Sequence, residues 1–117
     1  MSRAARTVFV WGIYLLILGG AFVVSPNVVL ITFGFAATQE VWIRVVGMLV
    51  LLLSYYYLQA ARSENTGFFH WSVNARAAVI VFFVAFVALG FAQPMLILFG
   101  VVDVLGAAWT RLALRSS

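Results

Sequence analysis

In a chain of 117 residues with only seven basic and three acidic side chains, the ionisable groups set inside apolar stretches have the most chemistry to offer. Arg44 lies six residues beyond Thr38, and Asp103 nine beyond Pro94. On helices those offsets are roughly 9 Å and 13 Å from the start. Glu40 precedes Arg44 by four residues and shares its helical face, which continues through Gly47, Leu51 and Tyr55. Asp103 shares a face with Gly106, Ala107 and Thr110, small residues that let another backbone approach closely. These positions predict an inward-facing cluster of Glu40, Arg44 and Asp103. Such a cluster can bind a polar or cationic ligand or relay a proton, and it also serves as an ion pair that fixes which helices are neighbours. The three charges sum to one net negative, so a proton, a cation or an outward-facing Glu40 must complete the balance.

Aromatic residues form the second concentration. Trp11, Tyr14, Tyr55, Tyr56, Tyr57 and Trp109 fall toward one end of the apolar stretches, and Phe68, Phe69, His70 and Trp71 lie in the segment read as a loop. A cavity for a flat lipophilic ligand, with Tyr14 and Tyr55 orienting it, is one reading. An aromatic belt at headgroup level is the other. His70 alone, between Phe69 and Trp71, reads as an interfacial anchor. The chain has no cysteine, no glycine-rich phosphate loop, no paired helical histidines and no Ser/His/Asp set, so thiol, nucleotide and hydrolase chemistry have no visible carriers. No metal ligation is expected, and no cofactor is identified.

The elements that must carry these residues follow from composition. Sixty-six per cent of the chain is hydrophobic and 9% charged, against roughly 45–50% and 25% in ordinary soluble domains, and the mean hydropathy is +1.15. This places the chain in lipid. The apolar runs are continuous rather than alternating, which predicts helices and not barrel strands. Four spans are expected, at about 8–24, 38–60, 76–91 and 94–114. Thr38 reads as the N-cap of the second span, with Glu40 in its first turn, and Gly90 to Pro94 as a tight hairpin. Val28 to Ala36, too short to cross and too apolar for a solvated loop, reads as an interfacial or re-entrant segment.

The fold expected is therefore all-α, a four-helix membrane bundle forming one domain over residues 1–117. Six of seven arginines, Arg3, Arg6, Arg62, Arg76, Arg111 and Arg115, fall on one side of the alternating spans. By the positive-inside rule both termini are cytoplasmic. The first run is read as a retained span rather than a cleaved signal. The basic pI near 10.4 comes from scattered arginines, which suits membrane orientation rather than nucleic acid.

The turn Ser25, Pro26, Asn27, the series Glu40, Arg44, Gly47 and the late Asp103, in about 120 residues and four spans, resemble DoxX-like proteins and neighbouring small bacterial membrane families of unknown function. The acid-to-glycine spacing differs from the DoxX pattern. The resemblance implies a four-helix bundle, in a bacterial inner membrane, and little about activity. Small multidrug transporters share the size, but their essential acid lies in the first span, where this chain has none. The functional expectation is a non-catalytic accessory or assembly subunit, or a homo-oligomer, packing against other membrane helices. Its alternative is a binder or carrier of a small lipophilic or cationic ligand at Glu40, Arg44 and Asp103. An intramembrane acid/base enzyme using Asp103 or Glu40 with a tyrosine is a third reading.

Overall fold

The structure, a computed structural model, describes residues 1–116. In chain order its helices are α1 (Arg3–Val24), α2 (Pro26–Thr32), α3 (Trp42–Arg62), α4 (Thr66–Ala88) and α5 (Met95–Ser116). All four long helices are long and apolar enough to cross a membrane. At 1.5 Å per residue, 21 to 23 residues give roughly 32–35 Å, close to the thickness of a hydrocarbon core.

The starts of two helices are written in short polar side chains. Ser2 Oγ accepts from the Ala5 amide at 3.0 Å and opens α1. Asn65 Oδ1 accepts from the Phe68 amide at 3.1 Å and opens α4. Each satisfies one of the amides that a helix start leaves without an intrahelical partner.

That second cap moves a boundary. The third span begins at Thr66, not Arg76, so Phe68, Phe69, His70 and Trp71 belong to a helix and the loop shrinks to 63–65. Arg76 stands ten residues, roughly 15 Å, inside α4 rather than at its edge. The second span starts late, at Trp42. Thr38 does not cap it: its amide donates to Asn27 Oδ1 at 2.9 Å, and its hydroxyl accepts from the Glu40 amide at 3.1 Å. Glu40 therefore lies in the connection, outside the first turn of α3. The segment expected at Val28 to Ala36 is a seven-residue helix, α2, followed by an irregular stretch to residue 41.

The long helices assemble as two close pairs, α1 along α3 and α4 along α5. Within the first pair the backbones nearly touch at Gly19 and Gly47: a Cβ on either would come within 3.0 Å of the other's carbonyl oxygen. The pairs meet mainly through α1 and α5, whereas α3 and α4 scarcely touch after their short turn. Burial is confined largely to the half that holds both chain ends. There Ala4, Ala5, Val8 and Trp11 of α1 pack with Tyr57, Ala60 and Ala61 of α3, Phe69 of α4 and Ala113 of α5. Ser2 N donates to Glu64 Oε1 at 2.6 Å, and Arg3 Nη1 to Ser116 Oγ at 3.3 Å, tying the N-terminus to the α3–α4 turn and to the end of α5.

Candidate functional site

One side chain joins the two helix pairs. On α4, Phe69, Ser72, Val73 and Arg76 follow the three- and four-residue spacing of a single face, and all are buried. Arg76 is only 3% exposed. Its Nε donates to Ser72 O at 3.2 Å, and its Nη2 to Ser72 Oγ at 3.1 Å and Thr110 Oγ1 at 2.8 Å. The Thr110 hydroxyl is hydrogen-bonded to that of Thr7 at 2.8 Å, which reaches α1. The guanidinium carbon lies 5.1 Å from the ring centre of Trp11 and 5.8 Å from that of Tyr57. Those are cation–π distances, and they bring in α1 and α3. All four long helices thus converge on one cation. Among the described residues Nη1 is buried without a hydrogen-bond partner.

Above this knot the pairs diverge. Trp11 fits over Gly106, where a Cβ would approach the ring to 2.5 Å, so the crossing of α1 and α5 needs a residue without a side chain. Farther from the chain ends the facing residues are large, and a cavity of about 600 Å³ opens between α3 and α4. Ile43, Val46 and Val50 of α3 form one wall, and Val79, Phe82 and Phe86 of α4 the other. Val46, Phe82 and Phe86 line it while remaining exposed, so it opens sideways between the helices. Phe33 and Phe35, after α2, close the far end, where Phe33 meets the ring of Phe99 edge-on at 5.0 Å.

Two polar side chains line this cavity, Tyr14 and Asp103. Among the described residues nothing donates a hydrogen bond to the Asp103 carboxylate, and the Tyr14 hydroxyl has no partner either. Asp103 is close enough for its charge to act on Tyr14, Tyr57 and Arg76, yet it forms no ion pair with Arg76. The cavity is therefore an apolar chamber with an acceptor and a hydroxyl on its wall, and a fixed cation behind them.

The structure divides the residues singled out by sequence. Asp103 and Tyr14 come together, and Asp103 shares its face with buried Gly106, Ala107 and Thr110 as expected. The expected cluster of Glu40, Arg44 and Asp103 does not form. Glu40 sits exposed in the α2–α3 connection. Arg44 is exposed too, and its Nη1 donates to Val23 O. That carbonyl belongs to the last turn of α1, which has no basic residue of its own, so Arg44 supplies from α3 the cation that a helix C-terminus favours. Tyr55 is 59% exposed on the outer face of α3, stacked edge-on with Tyr56 at 6.0 Å, and does not line the cavity. Its neighbour Tyr57, 4% exposed, faces the knot.

Sequence reasoning missed Arg76. Placed at the head of a span, it read as one more orienting arginine. Asn65 followed by the stripe Phe69, Ser72, Val73, Arg76 was the available signal, since a cap and a helical face ahead of an arginine put it inside the helix. Compared with known proteins, the chain matches no family model, no curated protein and no solved structure, and nothing in those comparisons bears on the DoxX-like resemblance.

Proposed function

We propose that this protein resides in a membrane with both termini on the cytoplasmic side and takes a single-chain lipophilic molecule sideways from the bilayer into the cavity between α3 and α4. The cavity carries the reading: about 600 Å³, within the range of roughly 300–1,000 Å³ that small-molecule sites occupy, with Tyr14 and Asp103 as its only polar lining. The carboxylate accepts and the phenol donates, so the matching head group is an O–H or N–H donor. An anionic head would meet the like charge of Asp103 with no cation in the lining. For orientation, five arginines, Arg3, Arg6, Arg62, Arg111 and Arg115, lie at the end of the molecule that holds both termini, while Arg44 lies toward the other. The DoxX-like layout supports a bacterial inner membrane as the setting.

The test is retention of tail-matched probes, hexadecanol, hexadecylamine and palmitate, by the protein in nanodiscs, read by native mass spectrometry. Alcohol and amine are retained above palmitate. Val79→Trp, which fills the chamber, abolishes retention of all three. Asp103→Asn removes the preference for the amine while leaving the helical spectrum unchanged. If no probe is retained, or if Val79→Trp retains them as the native chain does, the chamber is not a binding site.

A second reading, the accessory subunit or homo-oligomer, draws on the same open seam, because a helix from a partner would also fill the gap that α3 and α4 leave. Its signature is a stable complex in mild detergent that Val79→Trp disrupts.

A further inference from the structure

A second recess lies at the opposite end of the molecule and has the opposite character. It occupies about 260 Å³ between α4 and α5 and is lined by His70, Asn74, Arg111 and Arg115, with Val73 and Leu114 as its apolar floor. His70 and Asn74 stand one turn apart on α4, as do Arg111 and Arg115 on α5, so four side chains rich in N–H donors face a common space. His70, Asn74 and both arginines are exposed, leaving the recess open.

No acid lines it. Of the three acidic side chains, Glu40 lies at the far end, Glu64 accepts from Ser2 in the α3–α4 turn, and Asp103 is eight residues, roughly 12 Å, along α5 from Arg111. Two guanidiniums with no acidic side chain beside them among the described residues, next to an imidazole and a carboxamide, match the oxygens of a phosphate, which arginine grips through paired N–H donors. The arginines also suit the last turns of α5, where a helix dipole favours cations. That role does not require His70 and Asn74 on the neighbouring helix, nor an apolar floor beneath the charges.

We infer that this recess binds the phosphate of an anionic membrane lipid, and that His70, Asn74, Arg111 and Arg115 hold the head group while Val73 and Leu114 receive the start of its glycerol and acyl portion. Depth agrees with this assignment. His70 lies four residues inside α4 and Arg111 five from the end of α5, roughly 6–8 Å from the helix ends, just inside the hydrocarbon boundary and within a snorkelling arginine's reach of the headgroup layer. Basic pockets between spanning helices on the cytoplasmic side are established head-group sites. The inference rests on the membrane placement proposed above but not on the lateral cavity.

The experiment measures lipid retained by the full chain in mild detergent, using native mass spectrometry with added phosphatidylglycerol, phosphatidylcholine or inorganic phosphate. One phosphatidylglycerol is retained in preference to phosphatidylcholine, and Arg111→Gln with Arg115→Gln weakens it roughly tenfold or more, as loss of charge-assisted hydrogen bonds does. Asn74→Ala, an exposed change that keeps the helix, weakens it by a smaller factor. Arg62→Gln, at the same end but outside the recess, leaves it unchanged. Equal retention of the two lipids, or equal loss in Arg62→Gln, overturns the site. Displacement of the lipid by an equal concentration of inorganic phosphate overturns the lipid as the source of the phosphate. A chain that stays folded and soluble without any amphiphile overturns the membrane placement instead.

Discussion

The half of the molecule that holds the chain ends and the half that does not are built from the same four helices, yet one is closed and the other open. In the closed half small residues, Ala4, Ala5, Ala60, Ala61, Gly106, Ala107 and Ala113, let the helices close around Trp11, Tyr57 and Phe69, and hydroxyls sit between them at Thr7, Ser72 and Thr110. In the open half the facing residues are Leu18, Phe22, Val46, Val50, Phe83 and Phe99. In an apolar solvent, burying leucine against leucine gains little over leaving it in lipid, so association relies on close backbone approach and interhelical hydrogen bonds. The closed half has both. The open half has the Gly19–Gly47 contact within one pair and nothing comparable between the pairs. The cavity is what remains where bulky side chains keep the helices apart and no polar tie draws them together.

If that account holds, Arg76 is the most consequential position in the chain. Arg76→Ala removes three hydrogen bonds and two ring contacts that together join four helices, and leaves the Ser72 hydroxyl without its donor and Thr110 with its bond to Thr7 alone. The expected loss is about 2–4 kcal/mol in reversible unfolding by SDS in mixed micelles, the range of large truncations at packed sites. Arg44→Ala, which removes one exposed cap on α1, costs about 1 kcal/mol or less in the same assay. Equal losses at the two arginines erase the distinction between a knot and a cap.

The next effect compares added bulk in the two halves. Gly106→Ala forces the Trp11 ring away from a Cβ that would lie 2.5 Å from it, and costs about 1–3 kcal/mol, as overpacking does. Val79→Phe adds more atoms but places them against the empty chamber, so stability changes by about 1 kcal/mol at most and in either direction. Paired unfolding curves decide it. A larger loss at Val79 than at Gly106 means that the open half is packed after all and the chamber is not available to a ligand.

These two halves were unequally legible. The number of long helices and their approximate centres follow from apolar runs, because a spanning helix leaves a signal about 20 residues wide that survives errors at its edges. Edges are decided by single hydrogen bonds. Thr38 had the right type to cap α3 but is engaged by Asn27 across the connection, whereas Asn65, the real cap of α4, stood in a segment too polar and aromatic to read as part of a span. The consequence was large for the site, since moving one boundary by ten residues carried Arg76 from the surface to the centre. Asp103 and Tyr14 were recoverable because each lies well inside its span, where polarity is conspicuous. Arg44 was equally conspicuous and its partner was not, because a free carbonyl at the end of α1 leaves no mark in the sequence.

The smallest expected effect tests whether the closed half is also fastened from outside. Glu64 sits in the α3–α4 turn with φ 54°, the left-handed residue of a helix C-terminal motif in which its amide donates to Ala61 O at 3.3 Å and the Asn65 amide to Ala60 O at 3.0 Å, and its carboxylate accepts from the Ser2 amide. The Ser2 amide and side chain, with the nearby N-terminal charge, hold its carboxyl below the ordinary value of 4.5. A group whose pKa is depressed on folding stabilises the fold above its unfolded value, and the contribution fades as pH falls through the folded value. The Glu64 contribution is therefore full above pH 4.5 and fades below it, and Glu64→Gln removes that part of any acid decline. Full exposure keeps the change small. An acid decline in Glu64→Gln as steep as in the native chain would show that the latch between the N-terminus and the turn does not contribute, leaving the closed half to the Arg76 knot and the packing around it.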